Sequence, residues 1–248
     1  DVRDEKNLSK KINKFKPQII FHLAAQPLVK ESYSSPKFTF TTNLIGTLNV
    51  LEIVKNTKSI KSAIIVTSDK CYKNYEKKEG YSEGDELGGE DPYSASKAAA
   101  ENIFFFYQNS FFKNKKKIGL ASVRAGNVIG GGDWSNDRII PDLIKSIIKK
   151  KKFIIRSPKS TRPWQHVFDL LSGYLILSKM IYKNNKMNGS WNFGPKQNHI
   201  SVEEVILELI KILKIKKKIY IKSDKNIKET GLLSLKTYKS EKYLKWKP

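Results

Sequence analysis

Three short, almost uninterrupted apolar runs constrain this 248-residue chain more than any other feature of it: QIIFHLA at 18–24, SAIIVTS at 62–68 and IGLASVR at 118–124. A strand with one wet face alternates apolar and polar residues. A run without alternation fits a strand covered on both faces, as in parallel sheets. Helical patterns separate the runs. Leu44, Ile45, Leu48, Leu51 and Val54 mark one helix face, and DPYSASK at 91–97 opens another helix, with Asp91 as N-cap and Pro92 at the first helical position. Strand and helix alternating at this rhythm predict an α/β fold with a doubly wound, Rossmann-like parallel sheet.

After Arg124 the texture changes. AGNVIGGGDW is a glycine-rich loop, Ile139 to Ile148 reads as a helix and FIIRS as a short strand. Val167, Leu170, Leu171, Tyr174, Leu175 and Ile181 mark a further amphipathic helix, and SWNFG returns to the main sheet. SVEE at 201–204 is a capping box. The expected organisation is a nucleotide-binding domain over 1–125 and 164–195, and a smaller substrate-binding lobe over 126–163 and 196–248.

A net charge of +23 raises the possibility of nucleic-acid binding. The distribution speaks against it, because the lysines are spread over helix faces and loops beside many Ile and Asn residues. Only five of the 47 basic residues are Arg, and four of them, Arg124, Arg138, Arg156 and Arg162, fall in one stretch. A planar guanidinium grips phosphate or carboxylate with two parallel bonds, which Lys cannot imitate. The cluster therefore points to an anion site, with structural ion pairs as the alternative. The single cysteine, Cys71, and three scattered histidines offer no metal-ligand cluster. No apolar run approaches the ~20 residues of a membrane span, and the expected compartment is the cytoplasm.

Tyr93 and Lys97 stand four apart at a helix start and so share a face. Ser68 ends the preceding strand, and ligands of parallel sheets collect at strand carboxyl ends. A phenol beside an ammonium has its phenolate stabilised and can act as a base. Ser68, Tyr93 and Lys97 thus make a plausible device for removing a proton from an alcohol while hydride leaves carbon. A surface ion pair fits the spacing too.

These residues, with HLAAQPLV (22–29), TNLIGTLNVLE (42–52), RAGNVIGG, RPWQHVFD and WNFGP, resemble the extended short-chain dehydrogenase/reductases that act on nucleotide sugars. Within that family TSDKCY, GGEDPYSASK, AGNVIGGGDW and RPWQHV are most similar to the branch that dehydrates CDP-glucose. The resemblance implies NAD as cofactor, held by Asp1, Val2, Leu23, Ala24, Ala25, Gln26, Asn43, Thr67, Tyr93 and Lys97. It implies that Tyr93, with Ser68 and Lys97, deprotonates the C4 hydroxyl, that Lys70 takes the C5 proton and that a protonated Asp69 donates to the departing C6 hydroxyl. Asn127, Arg138, Ile139 and Arg162 would hold the nucleotide diphosphate. It also implies a homodimer through the helices around 43–55 and 92–112, where IFFFYQNSFF puts Phe all around a helix; deep burial of that helix is the other reading. An epimerase of the same family would have no need of the Asp-Lys pair, and a catalytically silent basic binding protein is a rival of another class.

The glycine fingerprint that opens a Rossmann fold is absent, and GGGD at 130–133 has the wrong place and spacing for it. By this resemblance about 50–60 residues of β-α-β-α would precede Asp1, at ~30 residues per βαβ unit. A closing helix would follow the last residue.

Overall fold

The computed structural model describes residues 1–113, 118–196, 200–216, 218–222 and 231–248. Helix α1 (Glu5–Phe15), capped by Asp4 accepting from Asn7 N, leads into β1 (Ile19–His22). Two short helices, α2 (Val29–Ser34) and α3 (Pro36–Phe40), run through a π-helical turn at Thr41–Ile45 into α4 (Gly46–Asn56). Then come β2 (Ser62–Val66), α5 (Pro92–Tyr107) and β3 (Gly119–Ala125). Asp91 caps α5 by accepting from Ser94 N at 2.9 Å, with Pro92 in the first turn.

Beyond β3 lie β4 (Val128–Ile129), α6 (Ile139–Ile148), β5 (Phe153–Ile155), β6 (Thr161–Arg162) and β7 (Gln165–His166). They are followed by α7 (Val167–Lys183), β8 (Gly189–Phe193), β9 (Ile200–Ser201), α8 (Val202–Ile212), β10 (Ile219–Ile221) and α9 (Tyr238–Leu244). The capping box opens α8, with Ser201 and Glu204 each bonding the other's backbone N–H.

The main sheet is wholly parallel in the order β1-β2-β3-β8. Alternate residues of one strand serve opposite faces: Ala63 and Ile65 pack with Leu51, Val54 and Phe104 from α4 and α5, whereas Ile64 packs with Leu170, Leu177 and Trp191 on the α7 side. Both faces are covered, which is why the runs do not alternate. Each fully buried Leu or Ile contributes roughly 1.5–3 kcal/mol. Gly173 lets α7 lie close to the sheet, since a Cβ there would sit 2.6 Å from the Phe193 ring.

The ladders are shorter than the apolar runs. The run at 18–24 yields four paired residues because β1 has a single strand neighbour, β2, among the described residues. The run at 62–68 stops at Val66, because Ser68 caps a one-turn helix at Asp69–Cys71 by accepting from Lys70 N at 3.2 Å. The smaller sheets β10-β5 and β6-β9 lie in the segments expected to form the lobe, whereas β4 pairs with β7 beside the main sheet. Leu244 and Trp246, from the segment expected in the lobe, pack instead with Trp191 and Phe193. In the Phe-rich stretch, Phe104 and Phe112 are fully buried but Phe105 and Phe106 are 65% and 54% exposed.

Candidate active site

The carboxyl ends of β2 and β3, the start of α5 and the loops around β4, α6 and β6 border a half-open cavity of about 570 Å³. Ser68, Asp69, Lys70, Tyr93, Asn127, Arg138, Ile139 and Arg162, all singled out from the sequence, line it together with Thr67. The strand end delivers the first three, and the helix start delivers Tyr93, whose backbone N–H is fixed by Ser32 Oγ at 3.1 Å.

The Ser68 hydroxyl donates to Asp69 Oδ1 at 3.0 Å. Asp69 Oδ2 is buried without a hydrogen-bond partner. A Cβ added at Gly126 would clash with Pro163 Cγ and meet Asp69 Oδ2 at 3.0 Å, so only glycine fits between them. Burial raises the Asp69 pKa above the ordinary carboxyl range, against the opposing pull of Lys70, Ser68 and Arg162. Such a carboxyl keeps its proton longer than an exposed one and can act as an acid.

Tyr93 is pushed up to about 12, by burial first; Ser68 pulls it back, and the Asp69 charge adds to the rise. A phenol at 12 is not by itself a base at neutral pH. Burial outweighs the groups that lower the Tyr93 pKa, which are the Ser68 hydrogen bond and the Arg138 charge. Lys97 is itself buried and held down at about 8 by desolvation. Its ammonium donates to Val66 O at 3.3 Å, which engages one of its three donors. Nearby, His22 contacts Thr47 Oγ1 at 3.1 Å and is lowered to about 4 by burial and by Lys97, so it is neutral.

The residues expected to hold a cofactor follow the carboxyl ends of β1 and β2. Leu23 and Ala24 are exposed and Ala25 half-buried, forming an apolar ledge. Gln26 and Asn43 are buried: Asn43 accepts from Gln26 N at 2.8 Å and donates to Ser96 Oγ at 2.9 Å, tying the ledge to α5. Val2 packs against Gly46 and its carbonyl accepts from Asn49 at 2.9 Å, whereas Asp1 is exposed and forks onto Arg3. The ledge, the buried polar clamp and the remaining donors of Lys97 suit a dinucleotide's ribose and amide groups. Among the described residues no group of metal ligands occurs.

The arginine cluster divides. Arg138, Arg156 and Arg162 line the cavity. Arg138 pairs with Asp133 at 3.5 Å, Arg156 with Asp137 at 3.1 Å, and Arg162 is buried. Arg124 instead forms a buried ion pair with Glu101 at 2.8 Å and donates to Tyr72 Oη at 2.8 Å. Burial works to raise the Glu101 pKa, but the Arg124 charge and hydrogen bonds from Arg124, Thr67 and Ser122 hold it below the usual range.

Sequence reasoning missed two residues here, whereas Arg156 came forward with the arginine cluster. Glu101 carried a signal, lying one helical turn beyond Lys97. Tyr174 lines the cavity from α7, yet periodicity marks it only as one more member of an apolar stripe.

A family model described as GDP-mannose 4,6 dehydratase matches residues 1–248. A Salmonella typhimurium protein named CDP-glucose 4,6-dehydratase is 48% identical over 213 residues, covering 84% of this chain and 59% of that protein. A Dictyostelium discoideum dTDP-D-glucose 4,6-dehydratase is 31% identical over 206 residues, covering 78% of this chain and 45% of its own length. The chain thus spans less than two thirds of either relative. The structure of a dTDP-glucose 4,6-dehydratase from Streptomyces venezuelae, solved with NAD and TYD bound, superposes with a TM-score of 0.86 at 19% identity, covering 100% of this chain and 73% of that one. A Bacillus cereus UDP-glucuronic acid 4-epimerase superposes at 0.85 and 23% identity, covering 100% and 74%. These likenesses establish the Rossmann-like fold.

Proposed function

We propose, from the premise that the chain belongs to the GDP-mannose 4,6 dehydratase family, that it carries the catalytic centre of an NAD-dependent 4,6-dehydratase acting on CDP-glucose. The observation that carries the proposal is Asp69, a buried carboxyl with an unpartnered oxygen facing a cavity that Tyr93, Lys70 and Arg162 also line. The 48% identity to a CDP-glucose 4,6-dehydratase supports the choice of sugar nucleotide.

Leu23, Ala24, Ala25, Gln26, Asn43, Thr67, Tyr93 and Lys97 would hold NAD, with Asp1 and Val2 at its adenine end. The chemistry NAD supplies when bound is a cationic hydride acceptor, loaded from sugar C4 and discharged at C6. Tyr93 Oη takes the O4 proton, with Ser68 beside it as hydrogen-bond partner. Protonation of Asp69 removes one of the charges that raise the Tyr93 pKa, so the same proton serves both groups. Lys70 Nζ takes the C5 proton, made acidic by the neighbouring ketone, and gives a proton back to C5 once C6 has received the hydride. Asp69 gives its proton to O6, which leaves as water. Arg162 and Arg138 hold the diphosphate, Asn127 bonds one of its oxygens and Ile139 covers the nucleotide.

The reaction keeps its intermediates in one pocket, which a single cavity lined by Ser68, Asp69, Lys70 and Tyr93 supports. The exposed Phe105 and Phe106 on α5 and Ile45 before α4 support a homodimer through these helices. No described helix is long and apolar enough to cross a membrane, and a cytoplasmic enzyme is the reading we adopt. The complete gene product, incubated with CDP-glucose, UDP-glucose and GDP-mannose in parallel, should release a 4-keto-6-deoxy sugar nucleotide from CDP-glucose fastest. Interconversion of C4 epimers without loss of water would replace this reading by an epimerase.

A further inference from the structure

Two residues that line the cavity, Asp69 and Tyr174, each carry a buried oxygen with no hydrogen-bond partner, Oδ2 and Oη. Tyr174 is 2% exposed, and its ring is fixed edge-on to Phe193 at 5.3 Å between centroids. Asp69 is 4% exposed. The two come from different elements, the turn after β2 and the middle of α7, and they are close enough for the Asp69 charge to act on the phenol. Buried phenols and carboxyls find partners in folded proteins, and a buried group left without one needs an explanation. Two such groups lining one cavity share the simplest explanation: a polar group of the ligand fits between them.

We propose that Tyr174 is a further substrate-contacting residue, its hydroxyl donating a hydrogen bond to the sugar's C6 oxygen across from Asp69 Oδ2. The assignment rests on the dehydratase reading, which places O6 beside Asp69. In the elimination Lys70 takes the C5 proton, the released electron pair forms the C5–C6 double bond, and the C6–O6 bond breaks with its electrons on oxygen. O6 takes the Asp69 proton and departs as water. Tyr174 keeps its own proton throughout and serves as a second donor to the oxygen as charge gathers on it. Burial, and then the Asp69 charge, push the Tyr174 pKa well above the ordinary value, which suits a donor that must not ionise. The neutral donor also reads the sugar: a substrate without a C6 hydroxyl would leave both buried oxygens unpaired.

The test is titration calorimetry on the complete gene product with NAD, in a Tyr93→Phe background that blocks oxidation at C4. CDP-glucose and CDP-6-deoxyglucose are titrated into protein with Tyr174 intact and into protein with Tyr174→Phe, which keeps the ring and its packing. With Tyr174 intact, CDP-glucose should bind more tightly than the 6-deoxy analogue. Tyr174→Phe should weaken CDP-glucose roughly 3- to 12-fold, the worth of one neutral hydrogen bond, and leave the analogue within about twofold. Equal weakening of both ligands, or of neither, would overturn the assignment, because the phenol would then be packing the core or bonding a water. The intact protein decides the matter even where the variant does not fold, since equal affinity for the two ligands also overturns it. Failure of both sugar nucleotides to bind the intact protein would overturn the dehydratase reading, and this assignment with it.

Discussion

Replacing Lys97 by Met should make the protein more stable at neutral pH while removing its activity. Folding takes the Lys97 ammonium out of water and lowers its pKa from the ordinary 10.5 to about 8, with burial as the leading cause. Folded Lys97 thus binds its proton less tightly than unfolded Lys97. Stability is full above 10.5, falls as pH drops from there through 8, and carries the whole penalty at pH 7. At 1.36 kcal/mol per pH unit the penalty is about 3 kcal/mol. Met has a similar length and no charge to desolvate. It gives up the bond to Val66 O, worth about 1 kcal/mol, which leaves a net gain of about 2 kcal/mol at pH 7. Denaturant midpoints for both proteins at pH 7, 8.5 and 10.5 would measure it. The advantage of the variant should shrink with rising pH, vanish at about pH 10 and turn into a deficit of about 1 kcal/mol above that, where only the lost bond to Val66 O remains. A variant less stable at pH 7, or an advantage independent of pH, would refute the claim that Lys97 is held buried and charged at the expense of stability.

Tyr93→Phe should lower 4-keto sugar formation roughly 10²- to 10⁴-fold, the range of a lost acid–base group, with sugar-nucleotide affinity nearly unchanged by calorimetry. Glu101→Gln leaves the Arg124 guanidinium buried without its counter-charge and should cost roughly 3–5 kcal/mol in denaturant unfolding; adding Arg124→Met should recover part of that loss. Changing both Phe105 and Phe106 to Glu should split the proposed dimer into monomers by light scattering, with circular dichroism of the protomer little altered because neither ring is buried within it.

The strands were legible because a parallel sheet must be apolar on both faces, and Ala63 to Ile65 show it within three residues. Their ends were less legible. Whether Thr67 and Ser68 extend the strand or turn away depends on Ser68 finding the Lys70 N–H, a local bond that competes with the ladder without altering the apolar pattern. Spacing and type brought Ser68, Tyr93 and Lys97 forward, since β2 and α5 are adjacent in the chain, and the family resemblance added Asp69 and Lys70. The arginines could not be sorted in this way. Arg124 points into a buried carboxylate and Arg162 into the cavity, and only the fold distinguishes them. Tyr174 stayed hidden for a similar reason: its ring obeys the helical apolar period, and the period says nothing about where the hydroxyl ends. The raised pKa of Tyr93 was equally out of reach, because a sequence shows the neighbouring ammonium but not the depth of burial.

In the proposed reaction one pocket oxidises C4, expels the C6 hydroxyl and returns the same hydride to C6. The most direct measurement is the fate of deuterium placed at C4 of CDP-glucose, followed by NMR and mass spectrometry after complete conversion by the gene product with NAD. The expected product is a 4-keto-6-deoxy sugar nucleotide that carries the deuterium at C6, with one solvent-derived hydrogen at C5. Deuterium retained at C4 in a hydroxylated epimer, or lost to solvent, would contradict it.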